Sequence, residues 1–115
     1  MVTNVTSLTG NGLKDWLIQR VTALYFGFYV VFLAVFVLSH PQLAYNQWQS
    51  LFAYKVFKIM TMMAFFAFVM HAWIGLWTVT TDYIKCTVIR LTVQLAVLGA
   101  LIAQLIWGLM IVWGQ

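Results

Sequence analysis

The chain has 115 residues, of which 64% are apolar and only 7% are charged, and its mean hydropathy is +0.96. So few charges cannot cover a water-facing surface, so the composition excludes a soluble protein and predicts one integral membrane domain over residues 1–115. The net charge of +4 does not indicate nucleic acid binding, because the cations all lie near the ends of apolar runs: Lys14, Arg20, Lys55, Lys58, Lys85 and Arg90.

The amino-terminal segment, residues 1–20, is polar at first and contains no signal-peptide h-region. Asn11-Gly12 is a turn signal, and the LKDWLIQR stretch after it predicts a short interfacial helix with Trp16 at headgroup level. Arg20 is the last charge before the hydrocarbon. It fits either a snorkelling residue paired with lipid phosphate or a clamp for a carboxylate.

The first predicted span covers residues 21–38, about 27 Å of helix. His40, beside a proline, is expected to be a solvated loop histidine. Residues 42–54 have aromatic side chains at helical spacing and predict a second interfacial segment.

The second predicted span, residues 59–79, places His71 about 3 Å along the axis from its middle. An ionisable ring at that depth is a functional hypothesis by default. His71 belongs to a column of small or short side chains at helical spacing, which leaves a shallow groove beside the imidazole: Ala64, Ala67, His71, Gly75, Thr78 and Asp82. Two occupants fit: the backbone of another helix, or a flat macrocycle whose iron takes the axial imidazole, with Gly75 leaving space for the ring.

The third predicted span covers residues 91–113, with Gln94 and Gln104 expected to form hydrogen bonds to another helix. Its small-residue face consists of Ala96, Ala100 and Ala103. With three spans, the cation-rich end carries the amino terminus and the second loop, so the positive-inside rule predicts a cytoplasmic amino terminus. The expected fold class is therefore an all-α integral membrane protein of three transmembrane helices with short interfacial helices.

No set of catalytic residues occurs in the sequence: there is no Ser/His/Asp grouping, phosphate loop or carboxylate pair. The single cysteine, Cys86, excludes an internal disulfide and a CxxC metal site. Nevertheless, a buried imidazole combined with Arg20 and Tyr83 at one membrane rim would suit an electron carrier within the membrane. The imidazole would bind haem iron, the guanidinium a propionate, and the phenol a quinone carbonyl.

Three stretches carry a resemblance to a known family: HAWIGLWTVTTDYIK at residues 71–85, NGLKDWLIQRVTA at residues 11–23, and the closing VWG. Together they resemble the smaller, haem b-binding membrane anchor of bacterial succinate dehydrogenase, respiratory complex II. The likeness covers essentially the whole chain. The sequence departs from the family pattern at Cys86, where a proline is usual.

The resemblance implies that His71 is one of two axial ligands of haem b, that Arg20 meets a haem propionate, and that Tyr83, with Asp82 beside it, binds ubiquinone. It implies partners that are not part of this chain: a second anchor subunit sharing the haem, an iron–sulfur subunit with its clusters and a flavoprotein with FAD. It also implies a multi-pass location in the bacterial inner membrane. Whether such a complex trimerises is left open.

Two other hypotheses remain at this point. One is a structural or assembly subunit without a cofactor, in which His71 only forms a hydrogen bond to a neighbouring helix. The other is the anchor of a fumarate reductase, because the direction of electron flow depends on redox centres outside this chain. A channel or transporter is disfavoured because the spans contain no Pro break and no further charge.

Overall fold

The computed structural model describes residues 11–114, which form four α-helices: α1 (Gly12–Ser39), α2 (Tyr45–Ala53), α3 (Lys55–Tyr83) and α4 (Thr87–Trp113). Within that part of the chain, α1, α3 and α4 are long and apolar enough to cross a membrane. The protein measures 52 Å along its longest axis, more than the hydrocarbon thickness of about 30 Å. The predicted all-α membrane fold with three spans is confirmed.

Helix α1 differs from the expected pair of elements, a short interfacial helix followed by a span. It is one continuous helix of 28 residues, because nothing in LKDWLIQRVTA interrupts the helical backbone. Asn11, expected in a turn, is its N-cap and accepts hydrogen bonds from the backbone N–H groups of Leu13 and Lys14. The rest of the predicted interfacial segment, residues 1–10, lies outside the described residues.

Helix α2 and the loop before it lie at the end of the molecule opposite the α1 amino terminus. His40, expected to be solvated, is the C-cap of α1, and its ring packs 4.5 Å from that of Phe36. From α2, Phe52 packs edge-on against the ring of Phe57 at 4.9 Å. A single residue, Tyr54, separates α2 from α3.

Helix α3 is the centre of the fold, with α1 and α4 packed antiparallel against it. Toward α1, the Tyr25 hydroxyl donates to the Met60 carbonyl at 2.7 Å. The Tyr29 hydroxyl donates to Thr61 Oγ1, also at 2.7 Å, since Thr61 itself donates to the Phe57 carbonyl. The aromatic residues of α1 therefore fix its position on α3 with hydrogen bonds as well as ring contacts.

Toward α4, the contact residues recur every seven positions at Gln94, Leu101 and Gly108, all buried. A Cβ on Gly108 would lie 2.9 Å from the ring of Phe65, so glycine is required for this close approach. The predicted interhelical hydrogen bond of Gln94 is confirmed, from its Nε2 to Thr80 Oγ1 at 2.8 Å. The side chain of Gln104 is exposed, so its hydrogen bond to another helix stays a prediction.

Most of the large apolar side chains lie on the outside of the molecule, as expected for helices surrounded by lipid or by other membrane subunits. The alanine face of α4 also points outward. The buried core is thin and lies along α3: Phe57, Ala64, Ala67 and Ile74, completed by Leu101 and Val112.

Candidate functional site

A groove of about 470 Å³ lies between the first half of α1 and the second half of α3. Three of the residues singled out from the sequence, His71, Gly75 and Arg20, line it together. They meet because α1 and α3 are antiparallel, which brings residue 20 of one helix level with the second half of the other. The sequence placed Arg20 on a different helix from His71 and Gly75, so the convergence of all three on one cavity is a result of the fold.

The imidazole of His71 is fixed on one side by α1. Its Nδ1 lies 3.3 Å from the backbone carbonyl oxygen of Gln19 and 3.4 Å from Thr22 Oγ1. A carbonyl oxygen can only accept, so Nδ1 carries the proton. The Thr22 hydroxyl in turn donates to the Ile18 carbonyl at 2.6 Å, which leaves its oxygen free to accept from the ring. Consequently Nε2 of a neutral His71 holds the lone pair that can bind a metal.

This arrangement is the one expected of a metal-binding histidine, whose second ring nitrogen commonly donates to a carbonyl or carboxylate. It fixes both the tautomer and the ring orientation. The structure also agrees with the hypothesis that His71 forms a hydrogen bond to a neighbouring helix, because Nδ1 contacts α1. Among the residues the structure describes, Nε2 has no hydrogen-bond partner, so the interhelical bond and a ligand role are compatible.

The space beside Gly75 is shared with α1. A Cβ added to Gly75 would lie 3.2 Å from Gln19 Nε2, closer than ordinary van der Waals contact. The absence of a side chain therefore lets Gln19 approach α3, as well as leaving room in the groove. The small-residue column continues along the groove with Thr78, while Ala64 and Ala67 are buried deeper in the bundle.

Arg20 is exposed at the groove edge, with its guanidinium carbon 5.4 Å from the centre of the Trp16 ring. This cation–π contact holds the side chain at the groove while leaving its N–H donors available to an anion. Asp15, in the first turn of α1, also lines the groove and is only 7% exposed. Lying one turn before Gln19, it could have been found from the helical spacing of polar residues 15, 19 and 22.

Tyr83 and Asp82 do not line the groove. They lie at the carboxyl end of α3, and both are exposed, Tyr83 by 80%. Tyr83 lies about 18 Å along the helix axis from His71, as twelve residues of helix require. The isolated chain therefore presents two distinct places, a groove at His71 and an open rim at Tyr83.

The sequence model of the succinate dehydrogenase/fumarate reductase transmembrane subunit family matches residues 6–111. The chain belongs to this family. It is also 42% identical, over 102 residues and 89% of each chain, to the succinate dehydrogenase hydrophobic membrane anchor subunit of Coxiella burnetii (strain RSA 493 / Nine Mile phase I). The resemblance to succinate dehydrogenase anchors found in the sequence is thereby confirmed, and this succinate dehydrogenase/fumarate reductase anchor is a multi-pass membrane protein.

Within this anchor, two residues of α1 that carry no prediction from the sequence hold the ring of His71. Gln19 supplies the backbone carbonyl that orients the ring, and the Thr22 hydroxyl makes a second contact to the same nitrogen. Both lie in the NGLKDWLIQRVTA stretch, but the Gln19 contact is made by a backbone atom, so no residue pattern could have identified it.

Proposed function

We propose that this chain is the hydrophobic anchor subunit of a bacterial succinate dehydrogenase, holding the flavoprotein and iron–sulfur subunits at the cytoplasmic face of the inner membrane. His71 would hold the iron of a haem b, and the chain would form part of the ubiquinone site, so that electrons from succinate oxidation would pass to quinone. The second haem ligand comes from the partner anchor subunit. FAD and the iron–sulfur clusters belong to the other subunits.

The observation that carries this proposal is the orientation of His71, with Nδ1 donating to the Gln19 carbonyl and Nε2 left for a ligand. The residues of the groove fit a haem group in two respects. An imidazole of fixed tautomer suits the iron, and Arg20 suits a propionate. When bound, haem b supplies a one-electron redox centre inside the membrane.

The chain's own residues perform the remaining tasks. His71 holds the iron, and α1 prevents its ring from turning. Arg20 neutralises a propionate at the groove edge. At the rim, the Tyr83 hydroxyl donates a hydrogen bond to a quinone carbonyl where protons are available from water, and Asp82 lies beside it. The exposure of Tyr83 supports this role, because a site shared with other subunits is open in the isolated chain.

The haem assignment is tested by His71→Ala in the purified complex. A reduced-minus-oxidised spectrum is expected to show a lost or shifted haem b band, because one axial ligand is missing. A spectrum identical to that of the wild type would reject His71 as the ligand. His71→Gln distinguishes the haem-ligand role from the cofactor-free alternative. The alternative predicts that this variant is fully functional, because glutamine can still form a hydrogen bond. It also predicts that the wild-type preparation is colourless.

The quinone assignment is tested by Tyr83→Phe. Removal of the hydroxyl is expected to lower quinone reduction about tenfold while succinate oxidation with a soluble dye stays unchanged, since about 1.4 kcal/mol, the value of one good hydrogen bond, corresponds to a factor of ten. Equal loss of both activities would instead indicate disrupted assembly. Measuring the rates of succinate oxidation and of fumarate reduction by the same complex distinguishes a succinate dehydrogenase anchor from a fumarate reductase anchor.

A further inference from the structure

A second groove, of about 560 Å³, lies on the other flank of α1 from the groove at His71. Val21 and Tyr25 form its α1 wall, whereas Trp16 and Arg20 line the His71 groove. These two pairs project from the helix about 140° apart, since successive residues turn by about 100°. A group bound at His71 therefore does not fill this second groove.

The walls of the second groove are apolar. Its two hydroxyl groups are already bonded to the backbone, Thr22 to the Ile18 carbonyl at 2.6 Å and Tyr25 to the Met60 carbonyl at 2.7 Å. The remaining lining comes from α3 and α4: Ile59, Met62, Met63, Phe66, Ala67, Leu109 and Trp113. Flexible methionine side chains adapt to irregular apolar shapes, so these walls suit a hydrocarbon chain.

The groove is as deep as one leaflet of the membrane. Its α3 residues run from Ile59 to Ala67, about 12 Å of helix, and half of the hydrocarbon core is about 15 Å thick. Residues 59–79 form the predicted hydrocarbon span of α3, so the groove begins at the edge of that span and stops short of its middle. A transmembrane helix would need a groove across both leaflets, whereas a single acyl chain needs one.

The open end of the groove is cationic. Lys55 and Lys58 lie there, on the face of α3 that carries the groove residues one and two turns further on. Lys58 Nζ is 5.3 Å from the centre of the Trp113 ring, which lines the groove. This contact holds the ammonium at the groove while its N–H donors stay available to an anion. The chain's two acidic side chains, Asp15 and Asp82, lie at the opposite end of the bundle and do not neutralise these lysines.

We infer that this groove binds an anionic phospholipid of the leaflet at the amino end of α3. One acyl chain lies between α1, α3 and α4, and the phosphate contacts Lys58 and Lys55. A phospholipid places its phosphate directly beyond its acyl chains, which is where the two lysines stand relative to the groove. Net negative charge is favoured because each lysine near the membrane surface attracts anionic lipid. The inference does not depend on the haem assignment, because the two grooves are separate.

The test is photo-crosslinking of the purified complex in phosphatidylcholine nanodiscs. The probe is a trace of phosphatidylglycerol with a diazirine in the middle of one acyl chain, and mass spectrometry of the digested chain locates the label. We expect label in residues 59–67. Lys58→Gln should lower it about fivefold, the effect of one lysine on the binding of anionic lipid. A phosphatidylcholine probe with the same acyl chain should label this segment weakly and should not respond to Lys58→Gln.

A second pair of variants tests the groove itself. Met63 is 53% exposed within the groove, and Met63→Trp should fill it and abolish the label. The matched control is Met110→Trp, at a 65% exposed position of α4 outside the lining, and it should label as the wild type does. If Met63→Trp does not assemble, Lys58→Gln at the rim still decides the inference.

Two results would overturn the inference. One is equal labelling by both probes with no effect of Lys58→Gln. The other is an unlabelled segment in the wild-type complex, which would mean that another subunit covers the groove. The haem b spectrum of the Lys58→Gln complex should match that of the wild type, so either result leaves the proposed function standing.

Discussion

At the scale of single residues, the proposed haem ligation depends on how His71 is held. The sequence indicates an imidazole deep in the membrane, but an imidazole can be a hydrogen-bonding group or a ligand. The contact from Nδ1 to the Gln19 carbonyl distinguishes its two nitrogens. Nε2 is therefore the nitrogen whose lone pair can bind a metal, and the position of the ring fixes the direction of that lone pair.

Gly75 provides a test at this scale. Gly75→Ala would add a Cβ 3.2 Å from Gln19 Nε2, forcing the amide to shift into the groove. We expect lower haem content in the purified complex and little change in stability, because alanine gains about 0.5–1 kcal/mol of helix propensity that offsets the crowding. The measurement is haem per complex by absorbance.

The control is Gly27→Ala on α1, where nothing lies within 4 Å of an added Cβ. It should retain full haem content. Loss of haem in both variants would mean that the effect comes from helix propensity, not from the groove.

At the scale of elements, α3 is the helix on which the others depend. It carries the groove with α1 and the close Gly108–Phe65 contact with α4. Its contacts with α1 are made by aromatic side chains that carry hydroxyl groups. Its contacts with α4 involve small residues and one buried polar pair, Gln94 and Thr80. Both are common ways of joining helices where water is absent and apolar side chains gain nothing by leaving lipid.

The polar pair is tested by comparing Gln94→Leu with Gln104→Leu. The first removes the hydrogen bond to Thr80 and should lower stability by about 0.6 kcal/mol, the average for such bonds in membranes. The second alters an exposed side chain of the same type on the same helix and should have almost no effect. Unfolding of the subunit in mixed micelles measures both; equal destabilisation would contradict the assigned role of the pair.

At the scale of the whole molecule, the antiparallel order of α1, α3 and α4 places four cations at one end and two at the other. Lys14, Arg20, Lys85 and Arg90 lie with the amino end of α1, whereas Lys55 and Lys58 lie at the amino end of α3. The positive-inside rule therefore predicts that the groove opens toward the cytoplasmic half of the membrane. The same end of the molecule carries the exposed rim at Tyr83.

This orientation is tested by labelling with a membrane-impermeant maleimide. Cys86 is exposed at the end predicted to be cytoplasmic and should stay unlabelled in intact spheroplasts. With Cys86→Ser as background, Ser50→Cys on the exposed surface of α2 should be labelled from outside. Detergent-permeabilised cells give the total reactivity of each thiol. If Cys86 were labelled in intact spheroplasts and a cysteine at position 50 were not, the predicted orientation of the chain in the membrane would be wrong.

The amino-acid sequence was sufficient to predict the class of protein, the three spans and the candidate residues, because the cost of placing charge and unpaired backbone in lipid leaves few alternatives for so apolar a chain. It also predicted that Gln94 would bond to another helix. It could not show that α1 runs unbroken from Gly12, that Gln104 faces outward, or that Gln19 lies over Gly75. These depend on how helices far apart in the chain are turned toward one another. That a backbone carbonyl of α1 holds the ring of His71 became visible only in the folded chain, since every residue type carries the same carbonyl.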